Sequence, residues 1–108
     1  MKEIKAIIRP ERLPDVLKAL HEMPELPGVT VSHVRGFGKR VPRDDSEPFA
    51  AIDMTKLEIV VSSTTAPKVV AVIRRAAHTG GAGDGNIFMS TVDEALKIRS
   101  GERNLDAL

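Results

Sequence analysis

The residue types best suited to chemistry are concentrated between positions 79 and 103. A glycine-rich turn with one acidic residue, Thr79-Gly-Gly-Ala-Gly-Asp-Gly-Asn86, precedes a short predicted strand and then the cations Lys97, Arg99 and Arg103. Glycines allow backbone N–H groups to approach a guest closely and to point at it. Cations downstream can meet negative charge. The turn over about 80–86 is therefore predicted to bind phosphate, with a nucleotide as the leading ligand.

Simpler interpretations of the reactive residues stay open. The turn could be only a tight connection between helix and strand, because glycine is common in turns. The cations of the 39–43 segment could form a solvated loop face, balanced by acids at 44–47. The three histidines, His21, His33 and His78, are far apart and lack the spacing of metal ligands, so no metal site is predicted.

Composition narrows the function classes. The chain has 108 residues, a net charge of +1, three Phe, and no Tyr, Trp or Cys. One domain over 1–108 is expected, without thiolate sites, and neither charge nor aromatic content favours nucleic acid. Without an apolar leader or a run of about 18–20 apolar residues, we expect a cytoplasmic protein with no membrane insertion.

The pattern of apolar residues predicts four strands and two helices. Alternation indicates strands over 2–9, 29–36, 56–62 and 86–92. A stripe at i, i+3, i+4, i+7 starts a helix near Leu13, and a second helix follows a cap at Thr64 or Thr65. One more helical turn is expected over 93–98, followed by a polar, loop-like end.

The order β-α-β, long loop, β-α-β predicts an α+β, ferredoxin-like fold with one antiparallel sheet and two helices on one face. The other face carries Ile7, Val34 and Val60, which need a partner, so we expect an oligomer. The connection from Gly36 to Phe49 has no period, and loops this long in small domains are usually functional.

Five segments together resemble the PII signal-transduction family, over nearly the whole chain. They are Met1-Lys-Glu-Ile-Lys-Ala-Ile-Ile-Arg-Pro10, Val29-Thr-Val-Ser-His-Val-Arg-Gly-Phe-Gly38, Lys56-Leu-Glu-Ile-Val-Val61, Ala77-His-Thr-Gly80 with Gly83-Asp-Gly-Asn-Ile-Phe88, and Ile98-Arg-Ser-Gly-Glu-Arg103. Each segment alone is weak, but five in order at compatible spacing are specific.

The resemblance implies a homotrimer of ferredoxin-like subunits with ATP or ADP bound in clefts between subunits, and AMP stays open as a further ligand. It also implies a T-loop, here about 39–54, that changes shape with the ligand and docks onto a target protein such as a membrane transporter or an enzyme. The C-terminal loop would span about 98–108.

The resemblance also implies ligand contacts, residue by residue. The adenine and ribose end would be lined by Ile7, Gly36, Phe37 and Thr79. The phosphates would meet Gly38, Lys39, Gly83, Asp84, Gly85 and Asn86. Arg40 is a candidate for a phosphate or small anion, Lys97 and Arg99 would reach across, and Arg103 is a further candidate.

Departures from the family pattern indicate a divergent member. Arg40 replaces the usual Gln that helps to hold magnesium and 2-oxoglutarate, and Met54 falls where a Lys usually pairs with 2-oxoglutarate. A fixed positive charge repels a metal cation. The uridylylated Tyr is absent, since the chain has none. A standard 2-oxoglutarate sensor is therefore not expected, and magnesium or a small anion such as bicarbonate stays open as a second ligand.

Two other functions fit the sequence less well. A small acylphosphatase-like enzyme on the same fold would use Asn86 beside a bound phosphate, but no nucleophile, base and orienting residue occur together. An RNA-binding domain would need paired aromatics on central strands, which Phe37, Phe49 and Phe88 do not supply. A non-enzymatic signalling protein in nitrogen, inorganic-carbon or metal homeostasis is the prediction.

Overall fold

The computed structural model describes residues 1–37 and 51–108. Its elements in chain order are β1 (Lys2–Ile8), a 3-10 turn (Pro10–Arg12), α1 (Leu13–His21), β2 (Thr30–Gly36), β3 (Ile52–Val61), α2 (Ala66–Ala77), β4 (Asn86–Thr91) and a second 3-10 turn (Asn104–Ala107). The four strands form one antiparallel sheet in the order β2-β3-β1-β4. This is the predicted ferredoxin-like fold.

The core lies between the sheet and the two helices. Alternate residues of β1 and β3 face the helices, and the register places Ile4 opposite Ile59 and Ala6 opposite Leu57. These side chains are fully or almost fully buried, as are Val16 and Leu20 of α1 and Val69 and Ile73 of α2. Burying this apolar area is the main force that holds the helices on the sheet.

The opposite face of the sheet is open in the single chain, as predicted. The register places Ile7 opposite Lys56, Val60 opposite Glu3 and Val34 opposite Met54, all away from the helices. Phe88 lies on the same face, opposite Lys5, and is 56% exposed. An apolar sheet face of this kind marks a surface that needs a partner.

β3 begins at Ile52, four residues earlier than predicted. Residues 52–55 pair with the second half of β2, with Gly36 opposite Ile52 and Arg35 opposite Asp53. Apolar side chains of this extension, Ile52 and Met54, lie on the open face, whereas the polar Thr55 is fully buried. The apolar pattern therefore changes faces within the strand, which hid its beginning.

One smaller prediction was wrong, and another was right in position only. Residues 93–98 form no helical turn, because the chain extends and folds back: Leu96 pairs with Arg103, and the N–H of Lys97 donates to the carbonyl of Glu102 at 2.8 Å. Thr65 occupies the N-cap position of α2, as predicted, but its side chain makes no capping hydrogen bond. Instead Ser62 Oγ accepts the N–H of Thr65 at 3.2 Å, so a serine three residues upstream stabilises this helix start.

No helix among residues 1–37 and 51–108 has the length and apolar character needed to cross a membrane.

Candidate functional site

One end of the sheet gathers several of the predicted site residues. β1 and β2 end there, and β3 and β4 begin there. Ile7 and Asn86 are opposite each other on the open face, and Gly36 ends β2 on the same face. Phe37 follows directly and is 64% exposed. The fold thus brings together residues from three separate parts of the sequence.

Met54 links the two glycine positions at this end. Its Cγ would lie 3.8 Å from a Cβ placed on Gly36, and its Cε would lie 3.4 Å from a Cβ placed on Gly85. The apolar thioether of Met54 therefore lies beside both glycines.

The turn from Thr79 to Gly85 is organised by the carboxylate of Asp84. Asp84 Oδ2 accepts the N–H of Thr79 and the N–H of Gly80, each at 2.9 Å. Asp84 Oδ1 accepts the hydroxyl of Thr79, and this hydroxyl oxygen in turn accepts the N–H of Gly81 at 3.1 Å. The N–H and hydroxyl groups at the start of the turn thus form hydrogen bonds within the turn itself.

Arg9 joins this turn to the sheet. Directly after β1, its Nε donates to Asp84 Oδ1 at 2.9 Å, and both side chains are partly shielded from solvent. A Cβ on Gly81 would lie only 2.5 Å from Arg9 Nη2, and one on Gly83 would lie 3.2 Å away. The guanidinium therefore lies close beneath the glycines, and a side chain at Gly81 would displace it.

Gly85 is required by two independent constraints. Its φ is +95°, a region that residues with a Cβ rarely adopt. A Cβ there would also lie 1.7 Å from the carbonyl oxygen of Ile7, which belongs to the backbone of β1. The close approach of the turn to β1 depends on this glycine.

Two glycine N–H groups are left for a ligand. Thr79, Gly80 and Gly81 donate within the turn, as does Asp84, whose N–H donates to the carbonyl of Gly81 at 3.3 Å. Within residues 1–37 and 51–108, no hydrogen bond uses the N–H of Gly83 or Gly85. These two N–H groups lie on either side of Asp84, and N–H groups grouped in a turn are the kind of donor that anion-binding concavities use.

The pKa of Asp84 is held well below its usual range. The hydroxyl of Thr79 contributes most, followed by the N–H of Thr79 and the guanidinium of Arg9. Each of these hydrogen bonds favours the charged carboxylate. Asp84 is therefore ionised at every physiological pH.

A groove of about 350 Å³ runs beside the turn, between the second half of α2 and the start of β4. Val70, Ala77 and Ile87 provide apolar lining, and Arg74 adds a positive charge. The groove and the turn share Asp84, Gly85 and Asn86, so a guest bound at the turn has apolar surface within reach.

The C-terminal cations lie in a separate hairpin. Arg103 pairs with Glu94, next to the Leu96–Arg103 bridge, and Ile98 is fully exposed. Among the described residues, no hydrogen bond or ion pair joins this hairpin to the 79–86 turn. In the described part of one chain, Lys97, Arg99 and Arg103 thus form no hydrogen bond or ion pair with the turn.

Three predicted site residues, Gly38, Lys39 and Arg40, and positions 39–50 of the predicted T-loop lie outside the described residues. Residues 52–54 of that segment belong to β3. In the described part of the chain, no three His, Asp or Glu side chains come together as a metal site.

Sequence reasoning missed Arg9 as a site residue. Arg9 and Asp84 are 75 positions apart in sequence. The available signal was topological: in the predicted fold β1 and β4 are antiparallel neighbours, so a cation after β1 lies near an acid before β4.

Known proteins resemble the chain over nearly its full length. The family profile described as Nitrogen regulatory protein P-II matches residues 1–102. A nitrogen regulatory protein P-II of Bradyrhizobium diazoefficiens is 40% identical over 115 residues, covering 100% of both chains. A nitrogen regulatory protein P-II 2 of Methanothermobacter thermautotrophicus is 43% identical over 113 residues, covering 100% of this chain and 97% of the relative.

A solved structure supports the same relationship. The crystal structure of Arabidopsis thaliana PII bound to citrate superposes with a TM-score of 0.84 at 36% identity. The match covers 99% of this chain and 91% of the Arabidopsis chain. Fold and sequence therefore agree.

Proposed function

The chain belongs to the nitrogen regulatory protein P-II family of signal-transduction proteins, and from that membership we propose that it binds adenine nucleotides at the 79–86 turn and reports their occupancy to a target protein. The observation that carries the proposal is the turn itself, which offers the N–H groups of Gly83 and Gly85 beside an apolar groove. The family is regulatory, so the acylphosphatase-like alternative is not favoured.

Calorimetric titration with ATP, ADP and AMP, with and without magnesium, tests nucleotide binding. A ligand that binds only the folded protein at about 100 times its Kd adds about 2.7 kcal/mol to the free energy of unfolding, so a rise in melting temperature must accompany the heat. GTP and inorganic phosphate are the controls for base recognition. Neither heat nor thermal shift with any adenine nucleotide would end the proposal.

A homotrimer would complete the site. The open sheet face supports self-association, and the C-terminal hairpin of a neighbouring subunit could bring Lys97 and Arg99 to the turn, which the single chain does not do. We expect a solution mass three times the 11.7 kDa of one chain. Val60→Lys, which places a cation opposite Glu3 on the open face, should release monomers, whereas Val31→Lys on the other face should not.

The proposed signal passes through the predicted T-loop. The strands on either side of this loop, β2 and β3, pair as far as Gly36 and Ile52, close to the turn. Differential affinity of the nucleotide for two loop states is the required physics. Limited trypsin digestion at Arg40 and Arg43 should therefore proceed at different rates with ATP and ADP, and equal rates would contradict this step.

The second effector and the target are proposed only by class. Adding 2-oxoglutarate, bicarbonate or magnesium to the nucleotide titrations distinguishes the candidates for the second ligand. With an apolar Met54 beside Gly36 and Gly85, we expect 2-oxoglutarate to change nucleotide affinity little. The target is expected to be a transporter or enzyme in nitrogen, inorganic-carbon or metal homeostasis.

A further inference from the structure

The carboxylate of Asp84 has no free capacity for a ligand. Oδ1 accepts the Nε–H of Arg9 and the hydroxyl of Thr79, and Oδ2 accepts the N–H groups of Thr79 and Gly80. Two oxygens of a carboxylate offer about four lone-pair positions, and four donors occupy them. A phosphate oxygen, itself an acceptor, gains nothing from this group.

The four donors come from two places in the fold, and the carboxylate that accepts them lies in a third. Thr79 and Gly80 follow the end of α2, Arg9 follows β1, and Asp84 itself precedes β4 by two residues. The carboxylate therefore fixes the turn to the helix end and to the central strand at once. Charge-assisted hydrogen bonds are roughly twice as strong as neutral ones, which makes this connection rigid.

Among the described residues, three N–H groups of the turn are in no hydrogen bond, those of Ala82, Gly83 and Gly85. The last two flank Asp84 in sequence, and glycine is the residue with the greatest backbone freedom. Without the carboxylate between them, these two glycines would sample many orientations, and ordering them on binding would reduce affinity.

We propose that Asp84 is a positioning residue: paired with Arg9 and Thr79, it holds the glycine turn in the orientation that presents the N–H groups of Gly83 and Gly85, and it does not contact the ligand. The proposal rests on nucleotide binding at this turn and assigns the turn's order to a residue pair that joins β1 to the segment before β4.

The direction in which one substitution changes ADP affinity distinguishes a positioning role from a purely electrostatic one. Asp84→Asn removes a negative charge beside a polyanionic ligand, so Coulomb interactions alone would strengthen nucleotide binding. Positioning has the opposite effect, because the carboxamide turns an NH₂ group toward donors such as the Gly80 N–H. We expect Asp84→Asn to weaken ADP binding about ten- to a hundredfold, the loss seen in metal sites whose supporting residues are removed.

A second variant keeps the positive charge at position 9 and removes the hydrogen bond from Nε to Asp84. Arg9→Lys preserves a cation but loses the planar Nε–H that donates to Asp84, so positioning predicts weaker binding and electrostatics alone predicts no change. The matched control is Glu25→Gln, which removes a negative charge from an exposed ion pair with Lys68. We expect the control to bind ADP as the unmodified protein does.

Calorimetry with ADP and hydrogen exchange of the ligand-free proteins, both well below the melting temperature, form the complete test. The proposal predicts weaker ADP binding in Asp84→Asn and Arg9→Lys, and faster exchange of the Thr79 and Gly80 amides in ligand-free Asp84→Asn. Equal or tighter ADP binding by Asp84→Asn overturns it, and so does weaker binding with unchanged exchange, which would indicate direct contact.

The exchange measurement also separates this inference from the proposed function. If the unmodified protein bound no adenine nucleotide, the proposed function would fail, while faster exchange in Asp84→Asn would still support the role of Asp84 in ordering the turn. Unchanged exchange in Asp84→Asn would overturn the role of Asp84 and leave the proposed function to the titrations of the unmodified protein.

Discussion

Substituting Gly85 by Ala should destabilise the protein through two separable effects. The first is backbone conformation: at a φ of +95°, a residue with a Cβ is strained by about 1–2 kcal/mol. The second is collision, because the new Cβ would lie 1.7 Å from the carbonyl oxygen of Ile7, whereas carbon and oxygen normally approach to about 3.3 Å.

The collision cannot be relieved by a side-chain rotation. The blocking atom is the backbone of β1, so the turn must move away by more than an ångström, and the pairing of Ile7 with Asn86 is disturbed. Each lost backbone hydrogen bond costs about 1 kcal/mol or more. Together with the strain, we expect the free energy of unfolding to fall by about 3 kcal/mol or more.

Two matched glycines isolate the two effects. Gly80 has a φ of +92° and its nearest neighbour would be 4.0 Å away, so Gly80→Ala carries the strain without the collision. Gly28 has neither constraint, and Gly28→Ala should be neutral or stabilising by about 0.4–1 kcal/mol. Urea unfolding at one protein concentration gives the three values, since association makes stability concentration-dependent.

The expected order of destabilisation is Gly85, then Gly80, then Gly28. If Gly85→Ala unfolded at the same urea concentration as Gly80→Ala, the close approach of the turn to β1 would be refuted, and with it the placement of the turn against the sheet.

Three further predictions concern stability and pH. Thr55 is fully buried and its hydroxyl has no hydrogen-bond partner in the described structure, so Thr55→Val should raise the free energy of unfolding by about 1 kcal/mol in urea unfolding. Arg12 donates from Nε at 3.0 Å and Nη2 at 2.6 Å to the carbonyl of Ala76 at the end of α2, so Arg12→Leu should lower the melting temperature, with a loss of about 1–3 kcal/mol. The hydrogen bonds to Asp84 lower the pKa of its carboxyl group in the folded protein. The stability that they add is therefore fully present above the carboxyl's unfolded pKa and is lost as the pH falls below about 4. Asp84→Asn should flatten the curve of unfolding free energy against pH in this acid range, and identical curves for the two proteins would contradict the lowered pKa.

The sequence was sufficient for the architecture because each main element carries a regular apolar pattern. The alternation of Ile4, Ala6 and Ile8 and the helical stripe through Val16 and Leu20 correspond to the observed core. The same reasoning placed apolar side chains on the open sheet face. A regular apolar pattern predicts the fold well because burial of apolar side chains is the main favourable contribution to the free energy of folding.

Local features were less predictable because tertiary contacts decided them. Ile52 and Met54 extend β3 only because β2 provides a pairing partner, and their apolar side chains are on the face away from the core. Residues 93–98 contain good helix formers, yet the fold-back that pairs Leu96 with Arg103 competes successfully with a single helical turn.

The candidate site was also predictable only in part. The glycine pattern predicted a phosphate-binding turn, and the topology placed Ile7, Gly36 and Asn86 together at one end of the sheet. The internal hydrogen bonds could not be predicted: of the four turn glycines, Gly80 and Gly81 donate within the turn. The role of Arg9 needed the three-dimensional proximity of β1 to the segment before β4.

An NMR titration of the ¹⁵N-labelled protein with ADP measures directly whether an adenine nucleotide binds at the 79–86 turn through glycine N–H groups. We expect the amide signals of Gly83 and Gly85 to shift and to saturate at one ADP per chain, while the Gly80 amide, which already donates to Asp84, shifts less. Saturating ADP that leaves the Gly83 and Gly85 amides unchanged would contradict it.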